Sequence, residues 1–264
     1  MSFPPKNYTI GRYRVYFDKF VDGTRVSAGG QRYFGNTPEL NMSSESETLD
    51  HFDADNGIRI KDDSVLLELT RTGSFVTDHI SPDNLALFFL GDASTVVQSA
   101  ATAQVYNIND IQRDRRYQLG ASPSAPSGVR GITSAVVTSS PIGVTYAPGA
   151  DYRVDLTNGG LIIPATSTIP VNADIIVTYN VTATSYNRVV TADGAQIYGA
   201  LFLESNNPKG EKMDYFIPYA SVTPDGDFAL KADEWQQLPF SFEILKLDDQ
   251  TPAVFINGRP GSGV

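Results

Sequence analysis

The chain has 264 residues, of which 41% are hydrophobic and 11% aromatic, and its formal net charge is −10 at pH 7. This length and composition are typical of a globular protein with a sizeable core and exclude a disordered tail, while the acidic excess argues against a nucleic-acid-gripping surface, which needs Lys and Arg. The absence of Cys excludes disulfides, thiolate metal sites and Cys nucleophiles, and it fits folding in a reducing cytoplasm.

The sequence indicates neither secretion by a standard signal peptide nor insertion into a membrane. Residues 1–6 have no apolar segment of the kind found in signal peptides, and no run approaches 18 apolar residues. We therefore predict a protein that is not inserted in a membrane.

Residues 39–50 form an unusual alternating stretch. Glu, Asn or Ser alternates there with less polar residues, so that one side of a strand would carry Glu39, Asn41, Ser43, Glu45 and Glu47. Such a strand has one wholly polar, acidic face, which suits a strand that lines a water-filled space. An exposed acidic loop is the alternative interpretation.

Residues 81–91 carry the strongest helix signals in the chain. Ser81 suits the N-cap, Pro82 the first helical position and Gly91 the C-terminal left-handed position. The residues between them are apolar almost all round, and a short helix of that kind is buried on most sides. We predict one helix packed across a β-sheet.

A change in composition marks a separate segment in the middle of the chain. Residues 120–128 are rich in Gly, Ala, Ser and Pro, as linkers are, and charges then thin out to residue 191 while Thr, Val, Ile and Ser dominate. We predict a small β-sandwich domain at 128–191, inserted between two parts of a larger β domain, 1–127 and 192–264.

The stretch from 195 to 246 predicts four strands joined by turns. Leu238, Phe240, Phe242 and Ile244 alternate with more polar residues, the pattern of a half-buried strand. The strand over 213–222 is apolar on both sides, so it must be covered by its own core on one side and by another chain on the other. The candidate subunit-interface residues are Tyr215, Phe216, Ile217 and Tyr219.

Catalytic motifs are missing from the sequence. His51 and His79 lie in no recognisable triad or metal-binding motif, and no Gly-rich phosphate-binding motif occurs. We therefore predict no catalytic residue, no metal site and no cofactor.

Three long segments resemble the major tail tube proteins of long-tailed bacteriophages with non-contractile tails. They are YFGNTPELN at 33–41, the stretch from Leu49 to Gly91 that contains SPDNLALFFLG, and the stretch from Ala195 to Lys246. The segments stand in the family's order, and the similarity covers the chain except for the segment from about 128 to 191.

The resemblance implies a tail-tube β-sandwich or barrel with one packed helix, assembled as stacked hexameric rings into a hollow tube. Two long hairpins per subunit would form a continuous barrel around a lumen, through which DNA passes without specific binding. The protein would assemble in the host cytoplasm, become part of the virion tail, and meet other tail proteins at the tube ends. The inserted domain would decorate the outside.

Two rival interpretations remain open at this point. A carbohydrate-binding or adhesin-like β-sandwich would use exposed Tyr and the single Trp235, and it would be a monomer. An enzyme with an unrecognised carboxylate site is the other.

Overall fold

The computed structural model describes residues 8–55, 57–191 and 196–260, and its fold is mainly β, as predicted. The elements in chain order are β1 (Tyr13–Lys19), β2 (Arg32–Tyr33), β3 (Glu39–Asp53), β4 (Ile60–Thr77), α1 (Pro82–Phe88), β5 (Gly91–Gln98), β6 (Ala101–Ile108), β7 (Arg115–Gln118), β8 (Ile132–Ser139), β9 (Arg153–Asp155), β10 (Gly160–Ile163), β11 (Ile175–Val181), β12 (Thr184–Thr191), β13 (Ile197–Ser205), β14 (Met213–Pro224), β15 (Leu238–Ile244) and β16 (Phe255–Gly258).

The chain divides into two compact units. The first contains the described residues up to Ala93 and from Val189 onward, and the second runs from Ser94 to Arg188. The sequence predicts an inserted domain that starts near residue 128, whereas the second unit starts 34 residues earlier. The reason is long-range pairing, because β6 pairs with β11 and β7 pairs with β10. The predicted restart at residue 192 falls in the segment 192–195, which lies outside the described residues.

An antiparallel eight-stranded sheet forms the first unit. Its order is β2-β1-β13-β14-β15-β4-β3, and β16 also pairs with β14. Phe34 and Phe75 lie at the centre of its core with ring centroids 4.8 Å apart, and Phe75 stacks on Phe240 at 5.2 Å. The alternation predicted for β15 is confirmed, since the buried residues of this strand are Leu238, Phe240, Phe242 and Ile244.

Helix α1 packs against this core through its buried residues Leu87 and Phe88. Ser81 is the N-cap as predicted, and its Oγ accepts a hydrogen bond from the Asn84 amide at 3.2 Å. The predicted C-terminus is wrong. The helix ends at Phe88, Leu90 takes the positive φ of 50°, and Gly91 opens β5.

Strand β14 contains an irregularity that the sequence pattern does not show. Its register with β13 shifts between the pairs Gly199–Ala220 and Leu201–Ile217. The shift turns both Ile217 and Ala220 toward the core, where each is fully buried. A strict alternation through this strand would have placed these two residues on opposite faces.

The second unit has the layers of a small sandwich. One three-stranded sheet has the order β6-β11-β8 and another has the order β7-β10-β9. Both contribute buried residues to one core, including Val177 from the first sheet and Leu161 from the second. Strands β5 and β12 pair with each other in a two-stranded sheet.

Excision of the second unit is expected to leave a folded first unit. The two ends of the second unit lie close together, since Ser94 Oγ donates a hydrogen bond to the Arg188 carbonyl at 3.5 Å. Joining Ala93 to Val189 through Gly-Ser-Gly should therefore close the gap without strain. Circular dichroism should show a cooperative thermal transition of a β protein. Recovery of insoluble protein alone would show that residues 94–188 are needed for folding of the rest.

Candidate functional site

The β3–β4 hairpin is long and attached to the rest of the first unit at its base. The two strands pair from Glu39 opposite Val76 to Asp53 opposite Ile60, whereas β15 pairs with β4 only from Thr72 to Thr77. Within the described residues, the stretch of β4 from residue 60 to residue 71 therefore has no neighbour on its other side. At about 3.3 Å per residue, this open stretch is about 40 Å long.

Strand β3 is an edge strand along its whole length, because the sheet order ends with it. The hairpin thus presents two open edges, each with a row of backbone N–H and C=O groups. Proteins seldom leave long edges of this kind uncovered, since they pair readily with other strands.

The five residues predicted to share a polar face do share one, and all are exposed. Residues directly opposite each other in an antiparallel pair lie on the same face. The register therefore adds the partners from β4, which are Val76, Ser74, Thr72, Thr70 and Glu68. We call these ten residues the polar face of the hairpin. Whether this face lines a lumen is a prediction that the single chain does not test.

Hydrogen bonds and acidic groups characterise the polar face. Ser43 Oγ lies 2.8 Å from Thr72 Oγ1, and the Thr70 hydroxyl donates to the Glu68 carboxylate at 3.1 Å. Glu47 stands directly opposite Glu68, an arrangement of like charges that destabilises a strand pair. The polar face contains no Lys or Arg, since Arg71 and Lys61 are opposite Ser44 and Phe52 on the other face.

The other face of the hairpin is mixed in character, and it carries three leucines that are open to solvent in the single chain. Leu66, Leu67 and Leu69 have 56%, 59% and 43% of their surface exposed. On the side of the polar face, just beyond its end, Leu49 lies opposite Val65, and both are exposed. A run of exposed apolar side chains of this kind indicates a surface that another molecule covers.

The predicted subunit-interface residues behave differently from one another. Ile217 is fully buried in the core of its own unit and has no surface for a neighbour, which corrects its assignment. Tyr215 meets Tyr13 edge to face at 5.7 Å, and Tyr219 stacks on Tyr198 at 5.4 Å. Phe216 is also half-buried. These three side chains are partly used within the chain and keep some exposed area.

A row of aromatic residues crosses the outer face of the main sheet, and sequence reasoning missed it. Each member is the register partner of the next on five adjacent strands. The row consists of Tyr33, Tyr16, Phe202, Phe216 and Phe255. The ring centroid of Tyr16 lies 5.3 Å from that of Tyr33 and 6.1 Å from that of Phe202, and the centroids of Phe216 and Phe255 are 6.3 Å apart. The members are far apart in sequence, so no local signal could have found the row.

An ion-pair network flanks the aromatic row. Arg259 contacts Asp214 at 2.8 Å and Glu204 at 3.6 Å, and Arg14 contacts Glu204 at 3.4 Å. The hydrogen bond from Arg259 is the main reason why the pKa of Asp214 lies below its usual value. The network holds β1, β13, β14 and the residue after β16 together.

The loop between β14 and β15 carries the most exposed aromatic side chain. It runs over residues 225–237 without regular structure, and Trp235 is 91% exposed in it. Loops of this length are uncommon unless they are functional.

The sequence predicts no metal site and no catalytic residue. The side chains that bear on this prediction lie on the hairpin and in the core. His51 Nδ1 lies 2.6 Å from Asp62 Oδ1 on the exposed hairpin. In residues 8–55, 57–191 and 196–260, no cluster of three or more His, Asp or Glu could hold a metal ion. No helix in that part of the chain has the length and hydrophobicity to cross a membrane.

Comparison with known protein families gives a match over most of the chain. A family model described as "protein of unknown function UCP028589" matches residues 8–254. No curated protein matches the chain.

Proposed function

The chain belongs to the UCP028589 family, whose description assigns no activity, and we propose that it is a virion structural protein. In this proposal, copies assemble as stacked hexameric rings into a hollow tail tube that conducts DNA during ejection. The observation that carries the proposal is the long hairpin with two open edges and two unlike faces.

Open edges on both sides of one hairpin favour head-to-tail assembly. The outer edge of β3 in one copy can pair with the open stretch of β4 in the next, and repeated contacts of this heterologous kind close into a ring. The closed ring is a β-barrel, which leaves no edge unpaired.

The sheet order supplies enough strands for a wide barrel. Barrels of about 16–18 strands already enclose a water-filled channel. A hexamer holds about 24 strands of the set β14-β15-β4-β3, and the seams between copies lie where β3 meets the open stretch of β4. The two hairpins per subunit implied by the resemblance are then β3–β4 and β14–β15, the second with the loop at residues 225–237 as its tip.

The two faces of the hairpin suit the two sides of such a barrel. With the other face turned outward, its exposed leucines would be covered by the bodies of the subunits and removed from water. The polar face turned inward would present Glu39, Glu45, Glu47 and Glu68 to the channel without any Lys or Arg. Since each Lys or Arg that pairs with a phosphate adds affinity, a wall without them lets DNA slide.

Negative-stain microscopy of the purified chain tests the proposal directly. Rings or tubes with a central channel are expected. The rival carbohydrate-binding or adhesin-like module, which the 91% exposure of Trp235 favours, predicts a monomer at every concentration. A purified chain that stays monomeric at every concentration would overturn the proposed tube assembly.

Charge reversal on the polar face is expected to slow DNA ejection. Glu45→Lys with Glu47→Lys places two cations in the proposed channel, where they would pair with phosphates as DNA passes. In virions that still build tails, ejection should become slower or stall at low salt. Added salt should relieve the delay by screening.

The matched control moves the lysines to the opposite face of the same strand. Ser44→Lys with Ser46→Lys adds two cations that point away from the proposed channel and should leave ejection unchanged. Normal ejection by the Glu45 and Glu47 double variant at low salt, with intact tubes, would place the polar face outside the channel.

A further inference from the structure

A groove of about 450 Å³ lies on the surface of the second unit. Arg130 and Ile132 approach it at the start of β8, Leu156 follows β9, and Tyr186 comes from β12. Threonine side chains surround it, including Thr133, Thr157 and Thr184. Arg130 is the one charged side chain in its lining.

The guanidinium of Arg130 has an unused edge. Its carbon lies 4.7 Å from the centre of the Tyr186 ring, and Nη1 donates to Asn158 Oδ1 at 3.1 Å. Nε is buried and has no hydrogen-bond partner. Nε and Nη2 form the edge of the guanidinium that remains after Nη1 is bonded, and this two-donor edge matches a carboxylate.

The unsatisfied Nε–H is a signal for a missing acceptor. A buried donor without a partner costs about 1–3 kcal/mol, so such groups are rare and call for an explanation. Among the described residues, no carboxylate forms an ion pair with Arg130. A carboxylate at Nη2, the other donor of this edge, would lie next to the unsatisfied Nε–H.

The rest of the lining fits a sugar ring. Leu156 is 51% exposed and, with the ring of Tyr186, offers apolar surface for the C–H face of a pyranose. The threonine hydroxyls can each donate and accept, as sugar hydroxyls require. The second unit holds six Arg and five Asp, so it carries no net negative charge to repel an anion.

We propose that this groove binds a sugar that carries a carboxylate, of the uronic-acid class. The carboxylate pairs with Arg130, and the sugar ring lies against Tyr186 and Leu156. The site belongs to the second unit alone, so it does not depend on whether the first unit forms a tube.

Saturation-transfer difference NMR with the full chain tests this site. The probes are D-glucuronate and D-glucose, which differ only in a carboxylate in place of a hydroxymethyl group. Saturation transfer to glucuronate is expected. Glucuronate should bind at least about tenfold more tightly than glucose, because its carboxylate forms a hydrogen-bonded charge pair. Absence of transfer to glucuronate, or equal binding of the two sugars, would overturn the proposal.

Variants connect the binding to the groove. Tyr186→Ala and Arg130→Gln should each weaken glucuronate binding about tenfold or more, whereas Arg153→Gln, an exposed Arg outside the groove, should not. Thr182→Trp fills the groove without removing Arg130 or Tyr186, and it should abolish binding even if Arg130→Gln fails to fold. Binding that survives the Thr182→Trp substitution in a folded chain would place the sugar elsewhere and overturn the site.

Discussion

A chain in which an Asn-Gly turn replaces residues 45–70 is expected to fold and to form no tubes. Ser44 and Arg71 are register partners, so a two-residue turn between them keeps the base of the hairpin in its ladder. The removed part is exposed on both faces and contributes little to the core. It contains nearly all of the open stretch of β4, without which neighbouring copies have no edge to pair with.

Two measurements decide this experiment. Circular dichroism should show a thermal transition close to that of the intact chain, and electron microscopy should show particles without rings or tubes. The chain lacking residues 94–188 is the control, because it loses many more residues but keeps both hairpin edges, so it should still polymerise. If the chain with the shortened hairpin still built tubes, the hairpin edges would not be what joins neighbouring copies.

Phe88→Ala is expected to lower the free energy of unfolding by about 3–5 kcal/mol, a large part of the roughly 5–15 kcal/mol that holds a typical domain together. Phe88 is 8% exposed, and its ring centroid lies 5.9 Å from that of Phe240 and 6.0 Å from that of Phe228. Removing the ring leaves a cavity between α1 and β15. Urea denaturation of the monomeric chain with the shortened hairpin measures the change.

Phe89 provides a matched control on the same helix end. It is the C-cap residue and is 42% exposed, so Phe89→Ala removes an equal ring at a site that is already partly in water. The expected loss is about 1 kcal/mol. A Phe88→Ala loss no larger than that of Phe89→Ala would mean that the helix does not bury Phe88 in the core.

The local elements whose partners lie close in sequence were predictable. Alternation with period two identified β15 and the polar face of β3, because side chains on successive strand residues point to opposite sides whatever the strand pairs with. Ser81 and Pro82 identified the start of α1, because capping involves groups within one turn. The same local reasoning misjudged the end of the helix, where Leu90 rather than Gly91 adopts positive φ.

The tertiary structure decided everything that depends on pairing between distant strands. The sequence determined a mainly β chain with one short helix, an acidic strand face and a segment of distinct composition. Only the fold showed that the second unit begins at Ser94, that β14 shifts register and buries Ile217, and that Arg130 meets Tyr186 beside a groove. These features arise from contacts between residues on different strands, and strand pairing of this kind leaves no periodic trace in the sequence.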